Sequence, residues 1–308
     1  MLCGDDRTMI DPGLRSIVVR DDGLVGTLFL PAGPPPHPVV IAVGGSAPGI
    51  FALPALPLAA HGIATFALAY FGTEHLPQEL KRIPLEYFGR AIRWLASREE
   101  IRPAAMGIAG GSRGGELALL IAATYREIKA VVGWAPSGLL YAGLSRTAEA
   151  PVSAWCHDGC DLPFARFEPT AVDWHQTPLR LTRGFVAGLS DTATASAAEI
   201  PVERINGPVL LISGTDDQVW PSNLLAEIAA RRLRDRGHPF SVEHLSYEGA
   251  GHGIMPPHPQ VSFGATHFVH PVTGLDFELG GTPELNAKAS VDSWERIVKF
   301  FDERFASL

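Results

Sequence analysis

Apolar and polar positions divide most of this chain into short strand-like runs and longer segments of helical periodicity. Two runs near the start, 14–20 and 24–31, flank Asp21-Asp22-Gly23 and predict an antiparallel pair joined by a tight turn, since glycine permits a positive φ. Later runs are almost continuously apolar, which is typical of strands covered by helices on both faces of a sheet. They are residues 39–43, 64–70, 106–109, 128–134 and 209–212, and 242–247 follows as a last strand.

Helices are predicted between these strands. Apolar residues recur at spacings of three and four over 85–97 and 116–125. A further helix is predicted from Ser222, whose hydroxyl can cap the first amides, to Gly237, which can adopt the left-handed stop, and the last helix over 283–305. This alternation predicts an α/β fold with a mostly parallel central sheet and helices on both faces.

One long segment, 139–201, interrupts the alternation with Pro, Gly, Ser and Thr. Long irregular insertions are usually lids or binding loops. The strands that flank the segment 139–201 should hold its ends at the carboxyl edge of the sheet, where open α/β sheets bind ligands. We therefore predict a single domain over 1–308, with a lid or cap insertion at about 139–201.

Composition and charge exclude several classes of protein. A chain of 308 residues, of which 46% are hydrophobic, is long enough for a full-sized core. The formal net charge of −8 argues against a nucleic-acid partner, because nucleic-acid-binding domains usually present a basic face. The longest apolar region, 51–71, is broken by Pro54, Pro57 and His61, so no membrane span is expected.

Cysteine content and the first residues bear on the cellular compartment. Three cysteines, Cys3, Cys156 and Cys160, are too few and too unevenly spaced for the disulfide framework of a secreted protein. The first residues carry charge where a signal peptide needs an uninterrupted apolar stretch. We therefore expect a soluble cytoplasmic protein.

The sequence Gly110-Gly111-Ser112-Arg113-Gly114 follows an apolar strand and opens a helical segment. Gly-x-Ser-x-Gly in this setting is typical of a nucleophile elbow, which exposes a serine on a sharp turn at the carboxyl end of a strand. The small residues Gly110 and Gly114 let the strand and the helix approach closely. Ser112 is the predicted nucleophile, and the alternative is a turn whose serine only caps the helix.

A serine nucleophile needs a base, and the base needs an orienting acid; in this fold they follow the serine in the order acid, histidine. Asp217 comes just after an apolar strand and is the predicted acid, with its neighbour Asp216 as the alternative. His252 lies between two glycines that leave room for its ring, and it is the predicted base. His258 is the nearest alternative base.

An oxyanion hole needs backbone amides that face the reacting carbonyl oxygen. The amide of Arg113 would lie at a helix N-terminus, where the unpaired N–H groups and the helix dipole favour an anion. A second amide is predicted in the glycine-rich loop after the strand 39–43, at Gly45 or Ser46. The alternative is an ordinary glycine turn.

Several motifs together resemble one family, the acyl-CoA thioesterases and bile acid-CoA:amino acid N-acyltransferases of the α/β-hydrolase superfamily. The resemblance runs from about Gly23 to the C-terminus. It is carried by YFGTEHLP at 70–77, PLEYF at 84–88, GGSRGGEL at 110–117, WPS at 220–222 and YEGAGH at 247–252.

The resemblance implies a triad of Ser112, Asp217 and His252 that attacks a small-molecule acyl thioester. Eukaryotic members also carry an N-terminal β-sandwich domain, for which we expect no room within this chain. The acyltransferase branch uses cysteine as its nucleophile, whereas this sequence has Ser112, so the resemblance favours water as the acyl acceptor. The alternatives are a carboxylesterase, an acyltransferase or cyclase acting on an amine or alcohol, and a non-catalytic binding protein.

Aromatic residues of the predicted lid are candidates for contact with an acyl chain, with packing inside the lid as the alternative. They are Trp155, Phe164, Phe167 and Trp174. The same segment contains Cys156-His157-Asp158-Gly159-Cys160, but no second cluster completes a four-ligand zinc site. We therefore expect no metal and no organic cofactor; a local disulfide or redox pair is the other alternative to a plain lid segment.

Overall fold

The computed structural model describes residues 14–144, 150–255, 264–271 and 273–308. Cys3 and the alternative base His258 lie outside these ranges. The strands are β1 (Arg15–Val19), β2 (Val25–Leu30), β3 (His37–Val43), β4 (Ala64–Ala69), β5 (Ile83–Pro84), β6 (Ile101–Gly111), β7 (Ile128–Trp134), β8 (Trp155–His157), β9 (Cys160–Asp161), β10 (Val209–Gly214), β11 (Val242–Tyr247), β12 (His267–Val269) and β13 (Asp276–Glu278).

Seven α-helices and two 3₁₀ turns accompany the strands within the described residues. The helices are α1 (Ala55–Ala59), α2 (Leu85–Ala96), α3 (Arg113–Thr124), α4 (Thr182–Gly188), α5 (Thr192–Ala197), α6 (Ser222–Asp235) and α7 (Pro283–Ala306), and the 3₁₀ turns are Pro169–Ala171 and Val202–Arg204. None of these helices is long and apolar enough to span a membrane.

Eight strands form the central sheet in the order β1-β2-β4-β3-β6-β7-β10-β11. The pairings β1/β2 and β2/β4 are antiparallel, and the pairings from β4 to β11 are parallel. The predicted opening hairpin and the mostly parallel sheet are therefore confirmed. The carboxyl ends of β3, β6, β7, β10 and β11 share one edge, where the loops after them meet.

The core lies on both faces of the sheet because side chains of buried strands alternate between the faces. In β3, Ile41 packs into a cluster with Leu117 of α3, whereas Val40 packs into a second cluster with Phe301 of α7. Helices α2, α3 and α6 contribute to the first cluster, and α1 and α7 contribute to the second. The predicted cover of helices on both faces is confirmed.

The two ends predicted for helix α6 differ in outcome. Gly237 has a φ of 64°, and the N–H of His238 donates to the Leu233 carbonyl at 3.0 Å, so the left-handed stop is confirmed. The predicted cap at Ser222 is wrong. Pro221 precedes the helix, Ser222 is its first residue, and the buried Ser222 hydroxyl has no hydrogen-bond partner among the described residues.

The segment 139–201 is more regular than its sequence predicts. Its described part holds α4, α5 and the β8–β9 hairpin, and β8 pairs with β5. Isolated backbone bridges join Leu139 to Glu199 and Tyr141 to Ala165, so the chain of this segment folds back on itself. These short elements escape a periodicity argument because each spans only two to seven residues.

Candidate active site

Ser112 occupies the sharp junction between β6 and α3. Its backbone has φ 55° and ψ −122°, a conformation that a residue with a side chain adopts only under local strain. The Ser112 N–H donates to the Trp134 carbonyl at 2.8 Å, and the Ser112 carbonyl accepts from the Gly115 N–H at 2.9 Å. These bonds to β7 and to α3 hold the junction on both sides, as expected of a nucleophile elbow.

Close packing under this junction depends on Gly110 and Gly114. A Cβ at Gly114 would lie 2.4 Å from the Gly44 carbonyl oxygen and 2.6 Å from that of Val43. A Cβ at Gly110 would lie 2.3 Å from the Gly114 carbonyl oxygen. The first turn of α3 therefore sits directly against the end of β3, where only glycine fits.

His252 pairs with Asp217 at the carboxyl edge of the sheet. His252 Nδ1 lies 2.7 Å from Asp217 Oδ2, so the ring donates to the carboxylate and keeps Nε2 available for other chemistry. The other oxygen, Asp217 Oδ1, accepts from the backbone N–H of Val219 at 3.0 Å and of Trp220 at 3.2 Å. These bonds fix a buried carboxylate beneath the imidazole.

Asp216 faces away from the imidazole. Its side chain is exposed, with Oδ1 accepting from the Gln218 amide at 2.7 Å and Oδ2 accepting from the Gly281 N–H at 2.9 Å. Of the two neighbouring carboxylates that the sequence offers, the structure therefore places Asp217 and not Asp216 at His252.

The loop after β3 lies against the elbow. A Cβ at Gly45 would stand 3.4 Å from Ser112 Cβ and 3.9 Å from the backbone nitrogen of Arg113. The Ser46 carbonyl contacts His270 Nε2 at 3.2 Å. The backbones of Gly45 and Arg113, both predicted to contribute to an oxyanion hole, are thus neighbours, and Ser46 follows Gly45 in the chain.

The Arg113 side chain is buried and points into the protein. Its Nη1 donates to Glu116 Oε2 at 2.7 Å, and its Nη2 donates to the carbonyls of Tyr141 and Ala142, both at 3.0 Å. The backbone N–H of Arg113 belongs to the first turn of α3, where amides have no partner within the helix. That amide is the part of Arg113 that can face a substrate.

Glu116 is a buried neighbour of the candidate site that the sequence pattern did not predict. Its Oε1 accepts from the Trp155 indole N–H at 2.6 Å, which ties α3 to the segment 139–201. Burial raises the pKa of Glu116 to about 7, although the Arg113 charge and the Trp155 bond lower it. Glu116 is the one carboxylate in the sequence of α3, and this was the available signal.

The candidate acyl-contacting aromatics of the predicted lid lie in different surroundings. Trp155 is wholly buried, and its ring packs against Tyr70 at 5.8 Å between centroids, so its contact with an acyl chain stays a prediction. Phe164 and Phe167 are half-buried, and Trp174 is 53% exposed.

A row of aromatic rings leads from the segment 139–201 to His252. Trp174 contacts Phe167 at 6.5 Å between centroids, Phe167 contacts Phe185 at 4.8 Å, and Phe185 contacts Trp220 at 5.9 Å. Trp220 in turn lies 6.3 Å from the His252 ring. No local sequence pattern predicts the contacts of Phe185 and Trp220, because both depend on packing between distant segments.

The β8–β9 hairpin separates the two described cysteines. Cys156 pairs with Asp161 and Cys160 with His157, so the register directs the cysteine side chains to opposite faces, and both thiols are free. The alternative of a local disulfide is therefore wrong for this structure. Glu86, His157 and Asp158 offer ligand atoms within 4.8 Å of one another, but Glu86 Oε1 already accepts from the Asp158 N–H at 2.6 Å.

The sheet, the elbow and the Asp217–His252 pair define an α/β hydrolase. Residues 83–307 match the family model described as BAAT / acyl-CoA thioester hydrolase C terminal. The chain belongs to this family, which confirms the resemblance seen in the sequence.

Curated relatives agree over nearly the whole chain. The chain is 31% identical to the peroxisomal succinyl-coenzyme A thioesterase of Mus musculus, covering 98% of this chain and 68% of the relative. It is 32% identical to acyl-coenzyme A thioesterase 6 of Homo sapiens, covering 97% and 68%. Against mitochondrial acyl-coenzyme A thioesterase 2 of Mus musculus, at 30% identity, it covers 98% of this chain and 63% of the relative. The chain thus spans about two thirds of these relatives, and its cytoplasmic location stays a prediction.

Solved structures share the fold at low sequence identity. A dienelactone hydrolase-like promiscuous phosphotriesterase from metagenomic libraries has a TM-score of 0.55 at 17% identity, covering 95% of this chain and 99% of that chain. A puromycin hydrolase has a TM-score of 0.58 at 16% identity, covering 96% and 40%. These similarities show the α/β-hydrolase fold.

Proposed function

We propose that this protein is a serine hydrolase of acyl thioesters, of the acyl-CoA class, that works through an acyl-enzyme on Ser112. The observation that carries the proposal is the strained backbone of Ser112 at the β6–α3 junction, in a chain of the thioesterase family. Fold alone would not suffice, because many α/β hydrolases act on unrelated substrates.

Acylation would begin at Ser112 with His252 as the base. His252 Nε2 takes the proton from Ser112 Oγ as the oxygen attacks the thioester carbonyl carbon. Asp217 accepts a hydrogen bond from the Nδ1–H of His252 and stabilises the imidazolium that forms. The N–H of Arg113 and that of Gly45 or Ser46 donate hydrogen bonds to the developing oxyanion. The intermediate then collapses, the C–S bond breaks, and the thiolate leaves with the proton carried by His252.

Deacylation repeats the same steps with water as the nucleophile. His252 takes a proton from water, the hydroxide attacks the ester carbonyl, and Ser112 Oγ leaves with that proton. The products are a carboxylic acid and a free thiol. His252 returns in each half-reaction the proton that it took, and Ser112 is regenerated. A carboxylic ester would react in the same way, and an amine or alcohol in place of water would make the protein an acyltransferase.

The aromatic row is the proposed binding surface for the acyl chain. Phe167, Phe185 and Trp220 connect the predicted lid to His252 through ring contacts, and Trp174 extends the row to the surface. Phe164 of the same segment is half-buried and belongs to the proposed surface on sequence position alone. An apolar chain laid along these rings would lose contact with water, which favours binding by roughly 25 cal/mol per Å² before ordering costs.

Kinetics of the triad variants test the proposal. Ser112→Ala, Asp217→Asn and His252→Ala are assayed with acyl-CoA of several chain lengths, by release of free thiol, and with p-nitrophenyl esters. We expect Ser112→Ala and His252→Ala to lose on the order of a thousandfold or more in kcat.

Asp216→Asn is the matched control, because it removes a neighbouring carboxylate that does not contact His252; we expect it to keep kcat within about threefold of the wild type. Wild-type turnover in Ser112→Ala would refute the mechanism. Absence of any turnover in the wild type, together with no labelling by a fluorophosphonate, would favour a non-catalytic binding protein.

A further inference from the structure

Tyr70 is a buried tyrosine beside the loop 44–46, which we call the oxyanion loop. It follows the last residue of β4, and 2% of its surface is exposed. Its hydroxyl donates to the Gly44 carbonyl at 2.7 Å and to the Gly45 carbonyl at 2.9 Å, sharing one proton between two consecutive peptide units. A hydroxyl that spans two carbonyls of one loop fixes the orientation of both peptide planes.

The planarity of these peptides determines where their amides point. In a trans peptide the N–H is directed opposite to the C=O of the same unit. The Gly44 carbonyl shares its unit with the Gly45 N–H, and the Gly45 carbonyl shares its unit with the Ser46 N–H. Because both carbonyls face the Tyr70 hydroxyl, both of these amides face away from it.

The nucleophile elbow also adjoins the oxyanion loop. The Cβ position of Gly45 lies 3.4 Å from Ser112 Cβ and 3.9 Å from the Arg113 nitrogen. The Tyr70 hydroxyl and the elbow therefore both adjoin the short Gly45 backbone. An amide of the loop that turned toward Tyr70 could not donate to an oxyanion formed at Ser112.

The ring of Tyr70 is held so that its hydroxyl stays in place. Its centroid lies 5.1 Å from that of Phe71, 5.7 Å from that of Phe88 and 5.8 Å from that of Trp155. Burial raises the pKa of Tyr70, so its hydroxyl keeps the proton that it donates throughout the neutral range.

We propose that Tyr70 is a positioning residue of the oxyanion hole: its hydroxyl holds the Gly44 and Gly45 carbonyls and so presents the amides of Gly45 and Ser46 to the substrate oxygen. This inference rests on the proposed function. Without the hydroxyl, the two peptide units are free to rotate, and the donors would no longer be preorganised where charge develops in the transition state.

The test is Tyr70→Phe, which removes the hydroxyl and keeps the ring. We expect kcat for an acyl-CoA to fall roughly tenfold, with KM changed by less than about twofold, because only transition-state contacts are weakened. Inactivation by a fluorophosphonate should slow by a similar factor, since its phosphoryl oxygen uses the same amides.

Tyr87→Phe is the matched control. Tyr87 is also buried, and its hydroxyl also contacts two backbone groups, accepting from the Val25 N–H at 3.1 Å and donating to the Ala69 carbonyl at 2.6 Å. We expect this variant to lose a similar amount of thermal stability and to keep kcat within about twofold of the wild type. Equal kcat values for the two phenylalanine variants, or an unchanged kcat in Tyr70→Phe, would overturn the inference.

A second variant keeps the test decisive if Tyr70→Phe folds poorly. Replacing Tyr70 with 4-aminophenylalanine retains an N–H donor in place of the hydroxyl, and it should restore kcat to within about threefold of the wild type. A loss in this variant as large as that expected for phenylalanine would also overturn the inference. Ser112→Ala separates the two claims: turnover in Ser112→Ala refutes the proposed function, whereas an inactive Ser112→Ala beside a fully active Tyr70→Phe refutes only the role of Tyr70.

Discussion

A carboxyl group with no exposed surface lies one helical turn beyond Ser112. Burial raises the pKa of Glu116 to about 7, against an ordinary value of 4.5. Between these two values the folded protein binds more protons at this group than the unfolded chain does. The stability that Glu116 contributes therefore falls as the pH rises through this window, and it is constant above it.

We expect the unfolding free energy of the wild type to fall relative to that of Glu116→Gln as the pH rises from about 5 to about 7, with little change from there to about 8. Glutamine keeps the size of the side chain and does not titrate. Urea denaturation at several pH values measures both proteins. Glu303→Gln, which replaces an exposed carboxylate on α7, should follow the wild type. If the unfolding free energy of the wild type minus that of Glu116→Gln stayed constant or increased with pH, this result would contradict the raised pKa.

At the scale of elements, the junction of β3, β6 and α3 requires glycine at position 114 but not at position 111. A Cβ at Gly114 would lie 2.4 Å from a backbone oxygen, whereas a Cβ at Gly111 would find its nearest atom at 3.8 Å, and neither residue has a positive φ. We expect Gly114→Ala to lower the unfolding free energy by about 2 kcal/mol or more and to reduce kcat, because α3 must move away from β3. Gly111→Ala should change both by little. Denaturation and kinetics check the pair, and similar losses in the two variants would contradict the close approach.

Which elements were predictable follows from the range of the interactions that fix them. The sheet strands and the loops of Ser112, Asp217 and His252 carry local signals: an apolar run, a glycine pattern, a position after a strand. The bond from Glu116 to Trp155 joins residues 39 positions apart, and no local pattern encodes it. The helices and the hairpin within 139–201 are likewise too short for periodicity to predict. Ser222 was predicted as the N-cap residue of α6. Pro221 occupies that position instead, and Ser222 is the first residue of the helix.

At the scale of the whole molecule, the proposed acyl surface extends from the sheet edge into the segment 139–201. We expect Phe167→Ala and Trp174→Ala to lower kcat/KM for long-chain acyl-CoA by roughly five- to tenfold while changing it little for acetyl-CoA, because only a long chain reaches these rings.

Phe240→Ala is the control for this chain-length series. Phe240 lies just before the start of β11, at the edge of the sheet opposite the candidate site, and packs under Arg304. This variant should leave the chain-length profile unchanged. Equal losses for every chain length in Phe167→Ala and Trp174→Ala, or no loss, would show that the segment 139–201 does not select the acyl chain.

The central claim is that Ser112 carries the acyl group during turnover. Quenching the enzyme in acid while it hydrolyses an acyl-CoA, followed by peptide mapping by mass spectrometry, detects that intermediate directly. The account predicts the mass of the acyl group on the peptide that contains Ser112, and no such peptide from Ser112→Ala. An acyl group found on any other residue, or turnover that proceeds in Ser112→Ala, would contradict it.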